Sequence, residues 1–369
     1  MRRIILDNNH SHIKNMLESI IDRYGLDGIY LSSRENIRWA SGLDYDYGSL
    51  FVLRKGKYFC TDDRTVFQQS SGVNGVFYID LNNTALSSFL DEHRVKKLGY
   101  EDAHLSCRRY EHEKQDFFLH VHLYPVSGAI ETLRQVKRPH EIESITYAQK
   151  QNHLAYYHIR KNIREGMTEA ELALIIHTFF WNQGIFEKSF EPVVLFGERT
   201  TLLHEKPGKR RLKANESVLV DFGCKYNGYC SDFARSFFFG TENTGFANAY
   251  NVVQEAYKTA LSCMKPGIQG KEVDRQVRLA LGVYDNNVSH SIAHGVGVEL
   301  HEKLFINEKC TSVLEQDMVF ALEPSVIYQD RLNDRFCIRF EDLVRVTSEG
   351  AVNLIELERS SMFNNNLWR

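Results

Sequence analysis

The sequence has no long apolar run. None of its hydrophobic stretches reaches the length of about 18 residues that a membrane-spanning helix needs. At the N-terminus, Arg2-Arg3 is followed only by Ile4-Ile5-Leu6 before Asp7, which is too short for the core of a secretory signal peptide. We therefore expect no membrane partner and no targeting of the protein outside the cytoplasm.

Cysteine pairs are also missing. The seven cysteines are an odd number, and no two of them have the C-x-x-C spacing of redox and zinc motifs. We therefore expect neither a disulfide framework nor a thiolate zinc site. This cysteine usage fits a reducing cytoplasm best.

An excess of positive charge is absent as well. The formal net charge is -3, so no overall basic field favours nucleic acid as a partner. One short basic cluster, residues 209–213, is interpreted as a solvated loop. The absences leave a soluble globular protein, and the composition of 43% hydrophobic and 25% charged residues is typical of that class.

The chain is long enough for two domains. Its 369 residues begin with alternating patterns, in which a helical stretch at residues 12–24 precedes several short strand patterns. Residues 37–40 are interpreted as one of these strands. The pattern predicts the α/β class for this part of the chain.

A break in the pattern marks the predicted domain boundary. The turn-forming stretch 125–128 precedes a charged segment and a long helix that Pro139 opens. We predict an N-terminal α/β domain at residues 1–130 and a C-terminal domain at residues 131–369.

Residues 217–239 carry the strongest local signal. Two β-branched and aromatic runs flank Asn227-Gly228, which favours the type I′ turn of a two-residue hairpin. In that register Asp221 faces Ala234, and Asp232 follows two residues along on the same face, at a diagonal distance of about 7–8 Å. The pair could share a cation. The alternative is an ordinary sheet, in which Arg235 and Lys225 neutralise the two aspartates.

Three further groups downstream stand in apolar strands or glycine-rich turns: His294, Glu323 and Glu341. With the two aspartates they form an oxygen-rich set. Such a set is more typical of a site for divalent ions such as Mn²⁺ than of a thiolate zinc site. A pair of such ions provides a nucleophile at neutral pH and a Lewis acid, so hydrolysis is the expected chemistry. Taken singly, Glu323 could be a salt-bridged strand end, Glu341 a surface ion pair with Arg339, and His294 a hydrogen-bonded loop residue.

The order of the motifs resembles one family. The chain is similar to the pita-bread metallopeptidases, in their aminopeptidase P and prolidase branch, through VDFG at 220–223, CSDFAR at 230–235, HSIAHGVG at 290–297, LHE at 300–302, LEP at 322–324 and RFED at 339–342. The resemblance covers residues 130–355 closely and the N-terminal domain more weakly. It implies a smaller creatinase-N-like domain followed by a pita-bread catalytic domain.

The resemblance also implies a metal site with two divalent ions. Mn²⁺ is expected, with Zn²⁺ or Co²⁺ as alternatives. The implied ligands are Asp221 for the first ion, Asp232 and Glu341 as bridges between both, and His294 and Glu323 for the second.

Catalytic roles follow from the same resemblance. His204 and His290 would line the substrate site, and His301 would contact the peptide carbonyl or its tetrahedral intermediate. Glu323 would carry a proton to the leaving nitrogen. Arg339 would orient a bridging carboxylate.

The sequence departs from the family pattern at several positions. Ala293, Ser325 and Cys337 each replace a glycine that the family usually has, and Leu304 replaces a proline. None of these is an implied ligand, so hydrolysis should be intact. Three of them lie in loops that shape the pocket, so they bear on substrate preference.

The implied activity is hydrolysis of the Xaa-Pro bond at the N-terminus of peptides, by an Xaa-Pro aminopeptidase that forms a homodimer. The alternatives are an Xaa-Pro dipeptidase (prolidase) and a non-catalytic peptidase-like binding module. An aminopeptidase is preferred because no extra basic motif is placed to hold the carboxylate of a dipeptide. Methionine aminopeptidase normally lacks an imidazole at the position of His290, creatinase lacks the metal set, and a zincin would need a second histidine after His301-Glu302.

Overall fold

The structure is a computed structural model that describes residues 2–45, 47–61, 76–80, 83–241, 243–287, 290–329 and 335–355. Its contacts divide the chain into two compact units, residues 1–134 and 135–369. Across these described ranges we find no helix with the length and apolar character needed to cross a membrane. None of the seven cysteines, all of which are described, forms a disulfide bond.

The first unit combines helices with one mixed sheet. The helices are α1 (Arg2–Tyr24), α2 (Arg34–Ser41), α3 (Asn83–Glu92), α4 (Cys107–Asp116) and α5 (Ala129–Arg134). The strands are β1 (Gly28–Leu31), β2 (Ser49–Leu53), β3 (Gly56–Thr61), β4 (Val76–Asp80), β5 (Lys97–Tyr100) and β6 (His122–Pro125). They form a six-stranded sheet in the order β4-β3-β2-β1-β5-β6, with β1 antiparallel to β2 and parallel to β5.

The strand predicted at residues 37–40 is wrong, because these residues belong to helix α2. The Ser33 side chain accepts the N–H of Asn36 and caps the start of the helix, and Gly42 ends it with a left-handed φ of 74°. Two caps that enclose only eight residues outweigh the strand-like appearance of the short segment between them. Trp39 and Ala40 are buried by this helix.

The second unit contains a larger sheet and two helix pairs. Its helices are α6 (Pro139–Asn162), α7 (Glu169–Asn182), α8 (Thr244–Cys263) and α9 (Gly270–Leu281), with 3-10 helices at Gly197–Leu202 and Gly282–Asn287. The strands are β7 (Val193–Phe196), β8 (Glu216–Phe222), β9 (Lys225–Tyr226), β10 (Tyr229–Cys230), β11 (Phe233–Phe239), β12 (Ala293–Gly295), β13 (Glu302–Ile306), β14 (Val319–Leu322), β15 (Ser325–Gln329), β16 (Arg335–Thr347) and β17 (Gly350–Asn353). The nine-stranded sheet has the order β13-β12-β14-β16-β11-β8-β7, and β15 and β17 also pair with β16.

The central hairpin has the predicted register. Asn227 and Gly228 take φ values of 47° and 77°, as a type I′ turn requires, and Ala234 lies opposite Asp221. The ladder breaks between β8 and β9, where a Cβ on Gly223 would stand 2.0 Å from the carbonyl oxygen of Ser231. Glycine therefore permits the close approach of the two hairpin segments beside Asp232.

Alternation along β8 decides which side chains meet the helices. Val218, Val220 and Phe222 join the core that α6 and α7 cover. Leu219 belongs to a separate small cluster with strand β7. Because successive side chains of a strand point to opposite faces, Asp221 lies on the face away from the α6–α7 core.

The helix-covered face holds a buried ion network of its own. Arg235 stands opposite Val220, so it points to this face, and its Nη2 donates to Asp342 Oδ2 at 2.5 Å. His153 from α6 contacts the other oxygen of Asp342 at 2.8 Å, and all three side chains are buried. Arg235 also donates to the backbone carbonyl of Glu341. The network therefore holds strand β16 in place from the helix-covered face of the sheet.

We predict that Asp342→Asn destabilises the protein strongly. The change leaves the Arg235 guanidinium buried without its counter-charge, which typically costs about 3–5 kcal/mol of unfolding free energy. Urea unfolding of the metal-free chain measures the loss. Glu272→Gln, which removes an exposed partner of Arg275, is the matched control and should leave the unfolding free energy nearly unchanged. Equal losses for the two variants would contradict the prediction.

Candidate metal centre

Three neighbouring strands place two carboxylates in one row. Asp221 on β8 lies opposite Ala234 on β11, and Ala234 lies opposite Glu341 on β16. Residues opposite each other in a sheet project to the same face, so both carboxylates point the same way over the small side chain of Ala234. Their backbones are roughly 10 Å apart, since each strand spacing is 4.7–4.9 Å. The row leaves a gap that a cation between the carboxylates could occupy.

Asp232, His294 and Glu341 form the tightest part of the site. One potential ligand atom from each lies within 4.8 Å of the others, and all three residues are buried. His294 Nε2 is 3.4 Å from Asp232 Oδ2 and 3.8 Å from Glu323 Oε1. His294 Nδ1 lies 3.2 Å from the carbonyl oxygen of Gly295. A carbonyl oxygen only accepts, so Nδ1 carries a proton and Nε2 is the nitrogen directed at the carboxylates.

The site concentrates negative charge away from water. Burial, opposed by Arg339 and reinforced by Asp232 and Glu323, raises the pKa of Asp221 to about 7. Burial and the neighbouring carboxylates also raise the pKa of Glu341 well above its ordinary value. Asp221 Oδ1 and Glu341 Oε2 are buried and have no hydrogen-bond partner in the described part of the chain. Carboxylate oxygens that lack donors in this setting fit divalent cations.

Arg339 is a buried cation in direct contact with the carboxylates. It lies two residues before Glu341 on β16, and its Nη1 donates to Asp221 Oδ2 at 2.9 Å. The same nitrogen is 3.4 Å from Glu323 Oε2. Its hydrogen bond thus goes to the carboxylate predicted for the first metal ion, whereas the sequence predicted that it would orient a bridging one. Arg235 points to the other face, so it does not neutralise the aspartates as the ordinary-sheet alternative required.

The three histidines predicted for the substrate side lie near this cluster. His290 is held by the carbonyl of Ser291 at Nδ1 and by Ser325 Oγ at Nε2. The ring of His301 lies 4.5 Å from the ring of His294. Burial and the charge of Arg339 lower the pKa of His290. Burial and the charge of His294 lower the pKa of His301. His204 lowers both pKa values further. The structure therefore brings the predicted ligands and histidines to one place.

Sequence reasoning missed several neighbours of these groups. Ser325 was recognised only as a departure from the family, yet its hydroxyl contacts His290 across 35 positions of sequence. Phe305 is 45% exposed, and its ring lies near the rings of His294 and His301. Lys137 forms a buried ion pair with the residue after His301. The sequence held one signal for these neighbours: Glu302, the partner of Lys137, directly follows His301.

A second acidic cluster in the first unit differs in its bonding. Glu101, His104 and Glu131 also lie within 4.8 Å of one another. Glu101 accepts the N–H of Ser33 at 2.9 Å and a bond from the Asn36 amide, which also donates to Glu131 at 2.9 Å. Protein donors thus occupy these carboxylates, and the cluster is interpreted as a hydrogen-bond network.

Family comparisons agree with this geometry. Residues 143–348 match the model of metallopeptidase family M24, and residues 15–136 match the creatinase/prolidase N-terminal domain. The chain belongs to metallopeptidase family M24. The match confirms the predicted fold class, with a creatinase-N-type domain followed by an M24 domain, and it confirms that the protein is a peptidase.

Individual relatives cover nearly the whole chain. An uncharacterized peptidase of Bacillus subtilis is 28% identical over 339 residues, which are 90% of this chain and 95% of the relative. The solved Xaa-Pro dipeptidase from Bacillus anthracis is 29% identical with a TM-score of 0.88, covering 94% of this chain and 98% of that one. The X-Pro aminopeptidase from Thermotoga maritima is 25% identical with a TM-score of 0.82, covering 90% and 96%. Family M24 implies divalent metal ions and a peptide substrate for this chain.

We predict that Ser325→Ala changes the environment of His290 and little else. The variant removes the hydroxyl that contacts Nε2, while Nδ1 keeps the carbonyl of Ser291. Imidazole nitrogen NMR of the metal-free protein should show a shift of the His290 Nε2 resonance. Ser262→Ala, which removes an exposed hydroxyl bound only to a helix carbonyl, is the control and should shift neither nitrogen. An unchanged Nε2 resonance in Ser325→Ala would show that the hydroxyl does not hold the ring.

Proposed function

We propose that the protein is a dinuclear metal-dependent exopeptidase that hydrolyses the Xaa-Pro bond at the N-terminus of peptides. One observation carries the metal chemistry: buried carboxylates and one imidazole converge on a point where two carboxylate oxygens have no partner among the described residues. The preference for Xaa-Pro draws its support from neighbours whose names state that activity.

The proposed ligands divide between two ions. Asp221 would bind the first ion, His294 and Glu323 the second, and Asp232 and Glu341 both. When bound, two divalent ions supply Lewis acidity and a nucleophilic water at neutral pH. Mn²⁺ is the proposed metal because oxygen ligands outnumber the single nitrogen and no thiolate is present among the five groups.

The side chains around the ligands would handle the peptide and its protons. His301 is the proposed donor to the oxyanion that develops on the peptide carbonyl. His290 is less suited to that role, because Nδ1 donates to Ser291 and Nε2 already has Ser325 as a partner. Glu323 would pass a proton to the leaving nitrogen. His204 would line the substrate side of the site.

Arg339 would keep two of the carboxylates in place. Its Nη1 lies 2.9 Å from Asp221 and 3.4 Å from Glu323, so one guanidinium orients both. A cation at this position also offsets part of the repulsion between the acids. Its proposed role is therefore to preserve the ligand geometry.

Proline sets a particular demand on such a site. The imide nitrogen of an Xaa-Pro bond has no hydrogen, so a peptidase that needs an N–H contact at this position rejects it. The site must instead present apolar surface to the ring. Phe305, half-exposed beside His301, offers such a surface.

The choice between aminopeptidase and dipeptidase is part of the proposal. Both would cut after the first residue of an Xaa-Pro substrate, and they differ in whether chain beyond proline is accepted. We favour the aminopeptidase, since the sequence has no additional basic motif placed to bind the carboxylate of a dipeptide. We further propose a cytoplasmic homodimer, and the seven cysteines without disulfides are consistent with a reducing compartment.

A substrate panel tests the activity. With Mn²⁺ present, we expect release of the first residue from Xaa-Pro-Yaa-Zaa, and Met-Ala-Ser should remain intact as the control. Cleavage of Xaa-Pro alone would favour the dipeptidase. Cleavage of Met-Ala-Ser with neither proline peptide turned over would contradict an Xaa-Pro peptidase.

A single variant tests the bridging ligand. Asp232→Asn keeps the size of the side chain but removes its charge, so bound metal should fall and turnover should drop by more than the 10–100-fold that loss of an outer partner typically costs. Elemental analysis and steady-state kinetics measure the two effects. Glu272→Gln, an exposed carboxylate change, should alter neither. Full activity of Asp232→Asn would refute the bridging role.

A further inference from the structure

The loop between His294 and His301 closes around one buried carboxylate. Glu302 is 3% exposed, and its Oε1 accepts the N–H of Val298 at 3.1 Å. A Cβ on Gly297 would come within 2.3 Å of the same oxygen. The loop backbone therefore lies directly against this carboxylate, and only glycine fits at the closest point.

Lys137 supplies the opposite charge. Its Nζ donates to Glu302 Oε2 at 2.8 Å, and both side chains are 2% exposed. The backbone N–H of Lys137 donates to the carbonyl of Asp317 at 3.0 Å, and Val136 forms a β-bridge with Met318. Lys137 therefore belongs to a segment whose backbone is fixed to the sheet, and its side chain reaches Glu302 from there. A buried ion pair pays a desolvation cost, so its presence alone is weak evidence that it stabilises the fold.

The same loop is tied to the turn that carries Asp232. The carbonyl of Gly297 accepts the N–H of Cys230 at 2.7 Å. On the other side, the pairing of β12 with β13 shifts register after His294, and Leu304 takes a φ of 89° in the irregular part. Proline, which the family commonly has at this position, cannot adopt that angle. The loop is therefore held at both ends and at its centre.

His301 depends on this arrangement more than His294 does. His294 lies in a strand that pairs on both sides. His301 is exposed, and within the described residues its ring has contacts with the rings of His294 and Phe305 but no hydrogen bond. Its position therefore follows from the backbone it shares with Glu302.

We propose that Lys137 is a positioning residue, whose ion pair with Glu302 holds His301 at the substrate side of the metal centre. The inference rests on the proposed function, in which His301 donates to the peptide carbonyl. Lys137 itself contacts no substrate in this scheme. Its effect on turnover passes through the backbone next to His301.

A double-mutant cycle between Lys137→Met and His301→Ala tests the inference. Displacement of a catalytic group by about 1 Å can cost roughly 100-fold in rate, so Lys137→Met should lower kcat by up to that factor with little change in KM or bound metal. In the His301→Ala background, Lys137→Met should cause no further loss. Multiplicative losses in the double variant would overturn the inference.

Two further variants separate position from folding. Arg278→Met removes a cation from the half-buried pair with Asp274 on α9, and it should lower stability while kcat stays unchanged. Should Lys137→Met fail to fold, Lys137→Met with Glu302→Gln leaves no unpaired charge and retains an acceptor for Val298. This neutral pair should fold and still show the reduced kcat. Wild-type kcat in the folded neutral pair would overturn the inference.

A spectroscopic measurement makes the result independent of the substrate. Imidazole resonances of His301 in the metal-free chain should shift in Lys137→Met and stay in place in Arg278→Met. An unchanged His301 spectrum would refute the positioning role, even if the protein proves to be an Xaa-Pro peptidase. A shifted spectrum in a protein that cleaves no Xaa-Pro peptide would leave the positioning intact and refute the proposed function instead.

Discussion

Mutual repulsion among buried carboxylates is the constraint on which the catalytic unit depends. Sheet register places Asp221 and Glu341 in one row, and the hairpin adds Asp232 beside them. Taken out of water, these groups resist ionisation, which is why the pKa of Asp221 rises to about 7. Arg339 offsets only part of this charge, and two oxygens remain without donors among the described residues. Divalent cations are the partners that family M24 implies, and when bound they would complete this balance.

The rest of the unit preserves that geometry. Behind the sheet, Arg235 and Asp342 form a buried pair that fixes the strand of Glu341 from the helix side. At the rim, Lys137 and Glu302 form another that fixes the loop between two histidines. Both pairs are internally neutral, so they add rigidity without adding net charge next to the acids.

How far sequence reasoning reached differs between elements. The hairpin register followed from a local rule, because Asn227-Gly228 determines the turn and the turn determines every opposed pair. Helix α2 was misread as a strand, since a short segment of eight residues is ambiguous between the two and its caps decide the conformation. The contact of Ser325 with His290 and the ion pair of Lys137 with Glu302 join residues 35 and 165 positions apart. No local pattern encodes such contacts.

The sequence by itself determined the family, the order of the acidic and imidazole groups, and the register that places Asp221 opposite Ala234. These depend on residue type and short-range spacing, which the chain carries directly. Only the tertiary structure decided that Arg339 bonds to Asp221, that Arg235 faces the helices, and that Glu302 is enclosed by its own loop. Those outcomes depend on which face of a strand is buried and which distant segment arrives there. Packing of the whole unit settles both.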